Sequence, residues 1–144
     1  MSSPVVHFEP PRWLQNPHLQ TIWPTLFPVD GPSEIRRERI ATEDQDFLDI
    51  DWSGSGSHGV LLLHGLSGSS RSPYIQRLQK LLAQNGLTVG ALNLRGCSGV
   101  PNNTAKAYHS GETQDLDHIY RVIAPRFELL SVVGFSLGGN MLLK

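Results

Sequence analysis

Cysteine occurs once in the 144 residues, at Cys97. No internal disulfide can form, which fits a reducing compartment and makes the cytoplasm the expected location. Long apolar runs are missing as well. None nears the ~20 residues that cross a bilayer, so no transmembrane segment is expected. The start, Met1 to His7, has neither a charged n-region nor an apolar h-region, so no signal peptide is read there. Charge of neither sign dominates: Lys and Arg number 12 and Asp and Glu 13, for a formal net charge of −1. That balance gives no electrostatic ground for a nucleic acid or an anionic membrane as partner. The basic group Arg36, Arg37 and Arg39, split by Glu38, reads as a solvated strand face.

Ligand-binding patterns are equally scarce. The histidines are His7, His18, His58, His64, His109 and His118, with no pair at metal-ligand spacing and no thiolate pair beside them. No metal site is expected. Gly54-Ser55-Gly56-Ser57-His58-Gly59 fits G-x-G-x-x-G, but it precedes a strand where a dinucleotide fingerprint would follow one and open a helix. It reads as a linker. The Gly- and Ser-rich residues 65–70 lack the Lys-Ser/Thr ending of a phosphate loop. No cofactor is expected.

What is present describes a globular chain, with 39% hydrophobic and 17% charged residues. Its length suits one ordinary domain. Seven prolines fall in residues 1–34, which predicts short, broken structure there. Trp13, Leu14, Leu19, Ile22, Trp23, Leu26 and Phe27 make that segment too apolar for a free tail. It reads as an arm packed across the domain, with a helical turn or two near 16–22.

Two strands are predicted over 36–42 and 46–52, the second partly buried through Phe47, Leu48, Ile50 and Trp52. A strand over 60–63 follows the linker. Ser72 as N-cap and Pro73 at the first helical position open a helix whose Ile75, Leu78 and Leu82 face the sheet. Asn85-Gly86 stops it. A strand over 88–94, a long loop and a second helix beginning near Gly111 come next. That helix has Glu112, Asp115 and Asp117 early in it and a buried stripe of Leu116, Ile119, Val122 and Ile123. Pro125 ends it, and a strand runs from about Phe127 to Phe135. Alternating strands and helices predict an α/β fold: a mostly parallel sheet with helices on both faces. Functional loops then gather at the carboxyl ends of the strands.

The chemistry centres on Gly134-Phe135-Ser136-Leu137-Gly138-Gly139. An apolar strand runs into Gly-x-Ser-x-Gly, and Asn140-Met141-Leu142-Leu143 continues as a helix. Such a nucleophile elbow presents a serine hydroxyl on a strained turn that needs small neighbours, here Gly134, Gly138 and Gly139. The Leu137 amide, at the start of that helix, is a candidate oxyanion donor. Gly65, after the strand ending at Leu63, allows close backbone approach, so the Leu66 amide is the second candidate. The competing readings are an accidental match at Ser136 and an ordinary glycine turn at 64–66. His64 reads as a structural histidine.

At these residues the chain resembles the α/β-hydrolase superfamily, and more closely its YheT-like hydrolase family. The match is carried by Asn16-Pro17-His18-Leu19-Gln20-Thr21-Ile22 and by His64-Gly65-Leu66-Ser67-Gly68-Ser69-Ser70 with Ser72-Pro73-Tyr74. It continues through Asn93-Leu94-Arg95-Gly96-Cys97-Ser98-Gly99-Val100-Pro101-Asn102, then Tyr108-His109-Ser110-Gly111-Glu112, then Gly134 to Met141. The resemblance implies a serine hydrolase acting on carboxylic esters, with an acyl or lipid ester as substrate. It assigns Ser136 as nucleophile and Leu66 and Leu137 as oxyanion donors.

Family members run to roughly twice this length, in line with α/β domains of ~200–250 residues or more. Their triad Asp and His have no counterpart here. The expectation is therefore an α/β-hydrolase fold truncated after the elbow: an arm at 1–34 and the N-terminal half of the domain at 35–144. The chain itself is expected to be inactive and to self-associate through an open sheet edge. The alternatives are a genuine short, non-catalytic protein of the same fold and an unrelated α/β binding domain.

Overall fold

The computed structural model describes residues 9–26 and 30–144. His7, Phe27, Pro4 and Pro28 of the expected arm lie outside them. Within the arm, a 3-10 turn spans Arg12–Leu14 and helix α1 spans Pro17–Leu26. The start of α1 is set by Asn16, whose Oδ1 accepts the amides of His18 at 2.8 Å and Leu19 at 3.4 Å. That is an N-cap followed by proline at the first helical position. The rings of Trp13 and Trp23 meet edge to face, centroids 4.7 Å apart.

Among the described residues five strands form one sheet: β1 (Arg36–Ala41), β2 (Phe47–Ser53), β3 (His58–Leu63), β4 (Thr88–Asn93) and β5 (Leu129–Gly134). Their order is β1-β2-β4-β3-β5. β4, β3 and β5 are mutually parallel, while β2 runs antiparallel to both β1 and β4. Leu63 sits opposite both Leu92 and Gly134, so the carboxyl ends of the three parallel strands are level. The loops that follow them open on one edge.

The period-two alternation of the strands divides the core into two layers. On one face Ile50, Leu61, Leu63 and Leu92 pack with Leu116, Ile119 and Ile123 of α3 (Gln114–Ile123) and Met141 of α4 (Leu137–Leu142). On the other, Val60, Leu62, Val89 and Ala91 pack with Ile75, Leu78 and Leu82 of α2 (Pro73–Gln84). Helices thus cover both faces.

Three sequence expectations need correction. α3 begins at Gln114, three residues after Gly111, because Glu112 stays outside the helix and its Oε1 accepts the Gln114 amide at 2.9 Å. Val122 is 37% exposed and leaves the buried stripe, since Ile119 and Ile123 already fill the sheet-facing sector. β2 is buried along its whole length, not in part. Asp49 and Asp51 point away from the apolar layer, and Arg39 and Arg37 stand directly opposite them on β1. Arg37 forks onto Asp51 with two bonds of 2.7 Å, and Arg39 onto Asp49 at 2.8 and 2.9 Å. The arginines are exposed, as a solvated strand face requires, and two of them, Arg37 and Arg39, also cover buried carboxylates. Burial pushes Asp51 up, but the Arg37 fork and the Ser70 hydroxyl outweigh it and hold the carboxyl below its ordinary range.

Candidate active site

Ser136 lies between β5 and α4 with φ 51° and ψ −111°. The Gly138 amide donates to the Phe135 carbonyl at 2.9 Å, closing a four-residue turn around Ser136 and Leu137. This is the turn geometry that usually places glycine where Ser136 stands. A serine there is strained by about 1–3 kcal/mol. The turn is tight. A Cβ at Gly134 would meet the Gly138 carbonyl carbon and the Gly139 amide at 2.5 Å. One at Gly138 would meet the His64 carbonyl oxygen and Leu63 at 2.8 Å. Side chains at either position would push α4 off the strand end. Ser136 itself is exposed.

The loop after β3 comes to the same place. An added Cβ at Gly65 would stand 3.4 Å from the Ser136 Cβ and 3.4 Å from the Phe135 carbonyl oxygen. Leu66 occupies the next position, at the apex of a turn closed by the Gly68 amide on the Gly65 carbonyl at 3.0 Å. Among the described residues no acceptor is bonded to the amide of Leu66 or of Leu137. Gly65, Leu66, Gly134, Ser136, Leu137 and Gly138 are therefore neighbours, although 68 residues separate the two halves of the group. The sequence brought these residues forward by motif, and the level ends of β3 and β5 bring them together in space.

His64 is buried, and its ring is already engaged. Its Nε2 faces the Leu94 amide at 3.2 Å and must accept from it. The proton then sits on Nδ1, 2.7 Å from the Gly65 carbonyl. Burial lowers its pKa, with the Gly65 carbonyl opposing. His64 joins the ends of β3 and β4 and has no free nitrogen for Ser136. His109 is exposed, and its Nδ1 accepts the Gly111 amide at 3.1 Å.

Beneath the loop after β4 lies a charge network that the sequence does not announce. Arg95 is buried and binds Asp115 at 2.6 and 2.8 Å, Asp46 at 3.0 Å and Asp44 at 3.2 Å. Asp46 also accepts from the Asn103 amide at 3.0 Å, the Asn102 side chain at 2.8 Å and the Thr104 hydroxyl at 2.7 Å. Burial raises its pKa, but these donors more than compensate and hold it far below the usual carboxylate range. Bonds to Asp115 raise Arg95. The network has no periodicity along the chain, so only long-range packing reveals it. From this anchored loop, Ser110 accepts a bond from the Asn140 side chain on α4 at 2.9 Å. Two surface clefts of about 450 and 590 Å³ lie elsewhere, one beside Arg95 and one beside Lys80, and neither is lined by Ser136.

Residues 60–144 match the family of the alpha/beta hydrolase fold, and the chain belongs to that family. It is similar to YheT of Escherichia coli (strain K12), 37% identical over 142 residues, covering 94% of this chain and 42% of that protein. It is 28% identical to phospholipase ABHD3 of Mus musculus, over 94% of this chain and 36% of the relative. The chain thus spans about two fifths of the length of these curated relatives. Among solved structures, the Pyrococcus furiosus esterase Pf2001 superposes with a TM-score of 0.64 at 23% identity, covering 75% of this chain and 44% of that one. The lid-less serine hydrolase XC6422 of Xanthomonas campestris does so with 0.61 at 20%, covering 80% and 56%. These likenesses establish the fold. No helix among the described residues is long and apolar enough to cross a membrane.

Proposed function

We propose that this chain carries the nucleophile and the oxyanion donors of a serine hydrolase of carboxylic esters. The observation that supports it most is Ser136 at φ 51° on the β5–α4 turn, with Gly65 beside it. Strain at an exposed hydroxyl is a feature of functional sites rather than of packing. Relatives named phospholipase and monoacylglycerol lipase support an acyl or lipid ester as substrate class.

In this reading the Ser136 Oγ attacks the ester carbonyl carbon and the carbonyl oxygen takes up negative charge. The amides of Leu66 and Leu137 donate to that oxygen where charge develops. Collapse expels the alcohol and leaves an acyl-serine, which water then hydrolyses. The proton leaving Ser136 needs a base, and no residue of these 144 is given that role or the role of its acidic partner. His64 is excluded by its bond to Leu94. Without the base, Ser136 is an ordinary alcohol near neutral pH.

Turnover of a p-nitrophenyl short-chain ester is the test. The expected result is slow hydrolysis, of the order of the ~10³–10⁴-fold over water that binding and the oxyanion hole leave when a triad member is gone. Ser136→Ala should leave that residual rate nearly unchanged, because it comes from binding and the oxyanion donors and not from attack by an unassisted alcohol. A rate no greater than that of water alone would overturn the reading and favour a non-catalytic protein of this fold. Fast turnover abolished by Ser136→Ala would put a base within the chain, with His109 the first residue to replace.

A further inference from the structure

Leu66 offers little packing to hold its own backbone in place, since the residue is 72% exposed. Ser67 is also exposed and sits at φ 57°, a conformation that needs support. The support comes from two phenols. Tyr74, in the first turn of α2, accepts the Gly65 amide at 3.0 Å. Tyr108, in the long connection between β4 and α3, accepts the Ser67 amide at 3.0 Å. The unpaired Leu66 amide lies between these two tied amides.

Each phenol is itself fixed to a different part of the site. The Tyr74 ring packs on Phe135, the residue before Ser136, with centroids 4.8 Å apart. Tyr108 and Cys97 both pack against the apolar layer beneath α3, and the Cys97 thiol faces the Arg95 carbonyl at 3.7 Å. The Tyr108 ring also meets the buried His64 ring edge-on, centroids 6.3 Å apart. Water could satisfy the amides of an exposed turn, so two side-chain acceptors on either side of one free amide restrict direction rather than supply missing bonds.

We propose that Tyr74 and Tyr108 are positioning residues that aim the Leu66 amide at the oxyanion, tying its turn to Phe135 on one side and to the β4–α3 connection on the other. The proposal rests on the serine-hydrolase reading above. A donor displaced by about 1 Å at a reacting centre can cost ~10²-fold in rate.

The test is the saturation kinetics of p-nitrophenyl ester hydrolysis by the full chain, whose residual rate draws on binding and the oxyanion donors and needs no base within it. The tetrahedral adduct loads the same oxyanion position whichever nucleophile attacks. Tyr74→Phe and Tyr108→Phe keep both rings and remove only the hydroxyls. Each should lower the saturating rate ~10-fold or more, with little change in the half-saturating concentration. Amide exchange read by NMR should show Gly65 unprotected in the first variant and Ser67 in the second. Unchanged saturating rates in both variants, with hydrolysis by the unaltered chain above that of water, would overturn the positioning role and leave the hydrolase reading standing. No hydrolysis above that of water by the unaltered chain would overturn the hydrolase reading and this inference with it. If a variant does not fold, exchange in the unaltered chain decides: unprotected Gly65 and Ser67 amides overturn the proposal.

Discussion

At the residue scale, Ser136 trades stability for presentation. Its φ of 51° is natural for glycine and strained for serine. Ser136→Gly relieves that strain but adds freedom to the unfolded chain, which returns part of the gain. The expected net effect is a stabilisation of about 1 kcal/mol, read as a higher urea midpoint at unchanged slope. A lower midpoint would show that the turn is not strained. Asp46 is the opposite case, a residue whose charge is stabilising. Its folded pKa lies below the ordinary 3.8, so its stabilisation is fully present above that value and is lost as pH falls towards the folded one. Asp49 and Asp51 are shifted the same way and add to the same window. The urea midpoint should therefore hold from pH 7 to about pH 5 and fall steeply below about pH 4. Asp46→Asn should cost about 3–5 kcal/mol at pH 7, because Arg95 and Thr104 lose a buried charged partner. It should also flatten the acid limb.

At the element scale, α3 separates what periodicity reveals from what it leaves open. Its apolar residues sit at 116, 119, 122 and 123, and three of them reach the sheet. Ile119 is fully buried, so Ile119→Ala should cost about 2–5 kcal/mol. Val122 is partly exposed, so Val122→Ala should stay within about 0.5 kcal/mol. Chemical denaturation of the two variants side by side checks the orientation of the helix. Equal losses would rotate the stripe towards Val122. β2 carries the complementary lesson. Phe47, Leu48, Ile50 and Trp52 read as a partly buried strand, and Arg37 and Arg39 complete the burial by closing over Asp51 and Asp49.

At the scale of the whole molecule, β5 leads into the Ser136 turn and pairs among the described residues with β3 alone. Its other edge offers free backbone groups, flanked by Leu129 at 57% exposure and Leu143 at 89%. An apolar edge of this kind is a template for pairing with another chain. The isolated chain should associate, giving a mass by light scattering that rises with concentration. Leu129→Lys should reduce that association, since charge at an exposed edge position opposes edge-to-edge pairing. A sharp monomer independent of concentration would show the edge to be closed by other means.

The sequence alone determined the order of strands and helices, the two-sided cover of the sheet and the tight strand-to-helix turn at Ser136. These depend on local period, on turn residues and on a motif contiguous in the chain. Membership of the hydrolase family was legible for the same reason. Tertiary structure alone decided which strands neighbour one another, and so that Gly65 meets Ser136. It decided that Arg37, Arg39 and Arg95 serve buried carboxylates, and that Tyr74 and Tyr108 grip the turn at Leu66. Those partners lie 14 residues apart for Arg37 and Asp51 and 41 apart for Ser67 and Tyr108. Contacts at such separations depend on strand register and on where the strand ends fall, which residue propensity does not encode.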